Sequence, residues 1–205
     1  MWNDLSQTWK RAFEEAWNAF IEGSVPIGAV LADENGEVLM SERNRSNEKA
    51  TLNRRISHAE ANLLRKLDTS LYDCRKLTLF STMEPCPMCM GTILMANIKN
   101  VHSAARDPYC GMTHLCRTEP YYIDKCVNVG FAEGESEFVQ LVIQSYFELR
   151  ALQRGGSDTV FKSFEKYSPR AADKASLLFR DRVLDELADR HENAEIVYDI
   201  ILSEE

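Results

Sequence analysis

The apolar positions of this chain recur in two alternating rhythms. In LSQTWKRAFEEAWNAFIEG, residues Leu5, Trp9, Phe13, Ala16, Trp17 and Phe20 fall near helical spacing, and the run stops at Gly23. VPIGAVLADENGEVLMSE then reads as two strands joined at Asn35-Gly36, a hairpin signal because this dipeptide tolerates the positive φ of a tight turn. SHAEANLLRKLD returns to the helical period with Ser57 as its expected N-cap, and KLTLFST reads as a short strand. CPMCMGTILMANI reads as a helix starting at its cysteines, and NVHSAA as another strand. Strand alternating with helix predicts an α/β fold, a mostly parallel sheet with helices on its faces. Past residue 150 the stretch RGGSD at 154–158 marks a break. Ser168-Pro169 then supplies an N-cap and first-turn pair before apolar residues at helical spacing. The expected organisation is a domain over residues 1–150 and a helical extension over 151–205, with no internal repeat, glycine-rich phosphate loop or low-complexity tract.

Charge sharpens this division. The 205 residues carry a net charge of −8, spread unevenly: residues 1–130 hold 15 Lys+Arg against 16 Asp+Glu, while residues 131–205 are net −7. A protein that gains affinity by neutralising phosphates normally shows a basic stripe, so the balance weighs against extensive nucleic-acid contact. The N-terminus lacks the basic and apolar regions of a signal peptide, and no run of about 18 apolar residues occurs. A cytoplasmic protein with no membrane partner is expected. In that compartment six cysteines read as thiols or metal ligands rather than a disulfide framework.

The chemistry concentrates in MEPCPMC, residues 83–89. Cys86 and Cys89, three apart on a helix's first turn, place both sulfurs on one side. The unpaired N–H groups and positive dipole end there favour thiolates, the form that binds metal. A dithiol redox pair is the competing reading. A candidate third ligand, His58, begins the preceding helix, and Glu60 follows two residues later. A structural zinc site closes with four protein ligands; His58, Cys86 and Cys89 leave one position for water, with Glu60 placed as a base beside it.

His58-Ala59-Glu60 and Pro85-Cys86-Pro87-Met88-Cys89 match the H-x-E…P-C-x-x-C signature of the zinc nucleobase deaminases in order, type and interval. With VPIGAVL at 25–31, Asn44 in ERNRS, MEPCPMCMGTI and AARD at 104–107, residues 4–150 resemble the bacterial tRNA-adenosine deaminases, and EPCPMC is equally similar to the small guanine deaminases. The resemblance implies a three-layer α/β/α cytidine deaminase-like fold with a mixed, mostly parallel sheet, to which the helical extension is added. It also implies one zinc per chain, hydrolytic deamination of a nucleobase, nucleoside or related small heterocycle with Glu60 moving the protons, and a homodimer. By the same resemblance Asn44, Ala29, Glu84 and Asp107 contact the substrate, Glu84 through its backbone.

Departures bear on the substrate. Where tRNA editors read much like Asp-Pro-Thr-Ala before the histidine, this chain has Asn53-Arg54-Arg55-Ile56-Ser57, and Pro108-Tyr109-Cys110 replaces their lysine and threonine after ARD. Arg54, Arg55 and Arg106 are the candidate phosphate contacts if RNA binds. A small base or nucleoside is the favoured substrate, with tRNA adenosine-to-inosine editing and a non-catalytic zinc-stabilised interaction module as alternatives. Cys110, His114 and Cys116 form a second cluster. A strand through them would align three candidate ligands, but buried thiols and a loop histidine are the favoured reading.

Overall fold

The computed structural model describes residues 1–203. Ten helices and five strands follow one another: α1 (Gln7–Ile21), β1 (Gly28–Ala32), β2 (Val38–Arg43), α2 (Ala59–Lys66), β3 (Thr78–Met83), α3 (Pro87–Met95), β4 (Asn100–Ala105), α4 (Leu115–Thr118), α5 (Pro120–Asp124), β5 (Asn128–Phe131), α6 (Glu135–Gln153), α7 (Thr159–Tyr167), α8 (Pro169–Arg180), α9 (Val183–Asp189) and α10 (Ala194–Leu202). The sheet order is β2-β1-β3-β4-β5. β1 pairs antiparallel with both β2 and β3, while β3, β4 and β5 are parallel. This is the expected mixed sheet.

Helices cover both faces. On one, α2 and α3 bury Leu63, Leu64, Met90 and Ile93 against Leu31, Leu79 and Val101 of the strands. On the other lie α1 and α6, and α1 approaches very closely: a Cβ on Gly28 would sit 2.1 Å from the Ala12 carbonyl oxygen, so only glycine lets the helix rest on the start of β1. The hairpin turn is broader than Asn35-Gly36 alone. It runs through residues 33–37, with Asp33 Oδ1 accepting from the Asn35 and Glu37 amides at 2.9 Å each and Gly36 at φ +84°.

The C-terminal helices do not stand apart. Ala171, Ala175, Leu178, Leu184, Val197 and Tyr198 share one buried cluster with Phe13, Trp17 and Phe20 of α1 and with Met83, Ala104 and Ala105 of the sheet. Polar groups lock the same seam: Tyr146 donates to Asp185 Oδ2 at 2.8 Å, Arg150 Nε to Asp185 Oδ1 at 2.6 Å, and Trp17 Nε1 to the Glu192 carbonyl at 2.7 Å. The expected boundary at 150/151 falls inside α6. The chain breaks at residues 154–158, as RGGSD signals, where Gly155 takes φ +85°. Among the described residues no helix is long and apolar enough to cross a membrane.

Candidate metal centre and active site

Because β1 is antiparallel to both its neighbours, β2 and β3 run the same way and end on one side of the sheet. The helices that follow them, α2 and α3, therefore start near each other. In the sheet order β1 lies between the two strands that lead into them. His58 is the N-cap of α2, one residue later than the expected Ser57, whose hydroxyl instead donates to the Asn53 carbonyl at 2.9 Å. Cys86 is the N-cap of α3, followed by Pro87. Neither capping side chain bonds its own helix, so imidazole and thiol are left for each other.

His58 Nδ1 lies 3.4 Å from Cys86 Sγ and 3.7 Å from Cys89 Sγ, and all three donor atoms fall within 4.8 Å of one another. Zinc–sulfur and zinc–nitrogen bonds of about 2.3 and 2.0 Å in a tetrahedron require sulfur and nitrogen about 3.5 Å apart. One imidazole and two thiols at these separations fit zinc in both donor type and spacing. Among the described residues no other group of three His, Cys, Asp or Glu side chains is gathered this way.

The charges agree. The Cys89 thiol donates to Cys86 and, with His58, draws the Cys86 thiol down to about 4 against the cost of its burial. Cys89 is pushed the opposite way by holding that proton, by burial and by Glu60. One thiolate beside one thiol is the arrangement of a metal-free pair; a shared cation is what lets both sulfurs be thiolates. His58 is raised by its hydrogen bond to Cys86, which outweighs burial. Glu60, in the first turn of α2, is only 3% exposed, with its Oε2 3.3 Å from Cys89 Sγ. Burial raises its pKa, and the charge of Cys86 pushes the same way. A carboxyl so placed holds a proton more readily than a surface glutamate does.

A cavity of about 130 Å³ opens onto His58, Glu60 and Cys86, and Asn44, Glu84 and Asp107 also line it. Asn44 is 1% exposed. Its Oδ1 accepts from the Ser46 amide at 2.8 Å, and its Nδ2 has no partner among the described residues. The Glu84 carboxylate accepts from the Thr113 and Asp107 amides at 3.0 and 3.3 Å and from the Thr113 hydroxyl. It thereby ties down the loop after β4, where a Cβ on Gly111 would come within 2.5 Å of it. Asp107 caps the same loop through the Tyr109 and Cys110 amides at 2.8 and 3.0 Å.

Other candidates lie elsewhere. Ala29 is fully buried in β1 within the α2–α3 side of the core and does not line the cavity. Arg54 and Arg55 sit exposed on a 3₁₀ turn at Arg54–Ile56, also outside it. Arg106 lies over the Phe131 ring at 3.9 Å and borders a separate cavity of about 550 Å³, shared with His114, Cys116 and Arg117. No strand runs through residues 110–116, and their cluster does not form: Cys110 faces the smaller cavity, His114 and Cys116 the larger. The smaller cavity is completed by residues that sequence reasoning missed, Gln144 of α6 and Val160 and Phe164 of α7. Val160 and Phe164, four apart, signal a helix with one packed face, but nothing local says what that face meets.

A mixed sheet flanked by helices, with two helix N-termini bringing a histidine and two cysteines together beside a buried glutamate, defines an α/β/α protein with a zinc-type metal site. The pattern of the cytidine and deoxycytidylate deaminase zinc-binding region matches residues 3–105, half of the chain, which thus belongs to that family. The tRNA-specific adenosine deaminase of Bacillus subtilis strain 168 is 38% identical over 104 residues, covering 50% of this chain and 62% of that protein. The probable cytosine deaminase of Schizosaccharomyces pombe is 32% identical over 92 residues, 45% of this chain and 54% of that one. The chain thus spans less than two thirds of the length of these relatives. A solved tRNA:A34 deaminase, studied for A-to-I editing at the wobble position of transfer RNA, superposes with a TM-score of 0.51 at 28% identity, covering 61% of this chain and 96% of that one.

Proposed function

We propose that this protein is a zinc-dependent aminohydrolase that removes ammonia from a small amino-heterocycle, a nucleobase or nucleoside. The observation that carries the reading is the Glu60 carboxyl, buried within 3.3 Å of a ligand sulfur in a cleft with room for a small ring. A purely structural zinc site has no use for a carboxyl there, which weighs against an interaction module.

His58, Cys86 and Cys89 hold the zinc. When bound, zinc supplies Lewis acidity, which brings the pKa of water from 15.7 toward about 7. Glu60 takes a proton from the attacking water and delivers it to the adjacent ring nitrogen as oxygen adds to the carbon bearing the amine. It then takes the proton of the added hydroxyl and passes it to the departing nitrogen, so that the C–N bond breaks as the C=O bond forms and ammonia leaves. Its raised pKa suits a group that must hold a proton between two deliveries. Asn44 Nδ2 donates to the heterocycle, and Glu84 and Asp107 shape the loop that borders it. The enzyme acts in the cytoplasm as a homodimer.

The names of the relatives favour a second reading, tRNA adenosine-to-inosine editing. Against it stand the net −7 of residues 131–205, the position of Arg54 and Arg55 outside the cavity and the packing of Arg106 on Phe131. Ammonia release from a panel of bases, nucleosides and an anticodon stem-loop tests the proposal. Turnover of a small heterocycle supports it, and turnover of the stem-loop alone replaces it with the editing reading.

A further inference from the structure

One side chain ties the segment that carries a metal ligand to the segment that carries Asn44. Asn62 lies one turn beyond His58 on α2, and its backbone amide donates to the His58 carbonyl at 2.9 Å. Side chains on a helix lean toward its N-terminus, so the half-buried Asn62 amide reaches back past the helix start. Its Nδ2 donates to the Ser57 carbonyl and to the Arg43 carbonyl, at 3.2 Å each. Both neighbours are carbonyl oxygens, so only the amino end of the amide can serve them, and its two hydrogens match the two acceptors.

Each of these carbonyls belongs to a peptide unit that aims a site residue. The Ser57 carbonyl shares its plane with the His58 amide, so holding it fixes the backbone from which the imidazole projects. The Arg43 carbonyl does the same for Asn44, whose amide, across that plane, donates to the Ile27 carbonyl at 2.9 Å. Arg43 lies on the edge strand β2 opposite Gly28, and the Gly28 amide donates to Thr82 at 3.2 Å rather than across the pair. The Arg43 carbonyl thus faces off the sheet, where Asn62 meets it. Arg45 closes the circuit, its amide donating to the same Ser57 carbonyl at 2.9 Å. Asn44 is therefore flanked on both sides by residues tied to the peptide before His58. Glu48 pairs separately with Arg43 and Arg45 at 2.9 Å each, so this segment keeps an anchor when Asn62 is replaced.

We infer that Asn62, which does not itself line the cavity, is a positioning residue that sets the metal ligand His58 and the substrate contact Asn44 as one unit. The Asn44 arm rests on the deaminase reading above, and the His58 arm on the metal site alone.

The test compares wild type, Asn62→Leu, Asn44→Ala and the double variant. Zinc affinity is measured by competition with a chromophoric chelator. At saturating zinc, kcat and KM are measured by ammonia release from cytosine, adenine, guanine, their nucleosides and an RNA stem-loop, on whichever of these is turned over. Asn62→Leu keeps the approximate shape and removes the donor. It should weaken zinc binding roughly 3–10-fold and raise KM by a similar factor, the size of one lost hydrogen bond, with kcat changed less than twofold. In the Asn44→Ala background the KM effect should vanish while the zinc effect persists. A merely structural role would lower the unfolding temperature and leave both constants of the folded protein unmoved. Unchanged zinc affinity in Asn62→Leu, or a KM effect of equal size with and without the Asn44 side chain, overturns the inference while leaving the deaminase reading intact. If Asn62→Leu does not fold, Asn62→Ala decides by the same criteria. Ammonia from none of these compounds overturns the deaminase reading and the Asn44 arm with it, and the chelator competition then upholds or overturns the His58 arm by itself.

Discussion

His58, Cys86 and Cys89 are held by backbone geometry at the starts of two short helices, whereas Gln144, Val160 and Phe164 are held by the packing of a long helix and its C-terminal neighbours. In the first region the groups that matter are polar and charged, and they interact over 3.3–3.7 Å. In the second they are apolar apart from one amide, and their positions depend on a core that reaches from Trp2 to Ile201. The metal centre and the packing beside it are thus held by different means. Damage to the helix starts should remove the metal or the reaction while leaving the fold, and damage to the C-terminal packing should do the reverse.

The sharpest break falls on the metal side. Cys86→Ala should reduce zinc from one per chain to a small fraction by elemental analysis and eliminate ammonia release, with far-ultraviolet circular dichroism unchanged; full zinc content in this variant would remove Cys86 from the ligand set. Next in size is the packing side. Leu184→Ala, in α9 and fully buried, should cost about 2–5 kcal/mol, the usual range for a buried leucine truncated to alanine. The zinc content of the folded fraction should stay at one. A stability loss below about 1 kcal/mol by urea denaturation would mean that the C-terminal helices are not integral to the core. The smallest effects belong to the arginines. Arg54→Ala, Arg55→Ala and Arg106→Ala should each change kcat/KM on a small base less than twofold, and that turnover should be nearly flat with salt. A slope approaching −0.7 per neutralised phosphate marks binding to single-stranded nucleic acid.

The same division explains what could be read from the residues alone. His58, Glu60, Cys86 and Cys89 are legible because each pair lies within four residues and helix-start chemistry is local. The seven helices and strands from α1 to β4 follow from residue pattern and turn signals. The N-cap slipped from Ser57 to His58 because Ser57 turns its hydroxyl back to Asn53. The three-residue spacing of Cys86 and Cys89 survives such slips, since both ride on α3. Gln144 and Phe164 are not legible, because their role depends on which distant surface α6 and α7 meet. Ala29 looks like a pocket residue by resemblance, yet in β1 its side chain belongs to the core under α2 and α3. Arg54 and Arg55 form an exposed basic pair, and sequence cannot tell whether such a pair faces a ligand or water.

The central claim, that Glu60 works beside the zinc ligands rather than serving as one of them, is tested most directly by measuring zinc content and ammonia release on one preparation of Glu60→Ala. The account predicts one zinc per chain and a rate lower by roughly 10²–10⁴, the range for removing a general acid–base group. Near-normal turnover with zinc retained, or loss of zinc together with activity, would contradict it.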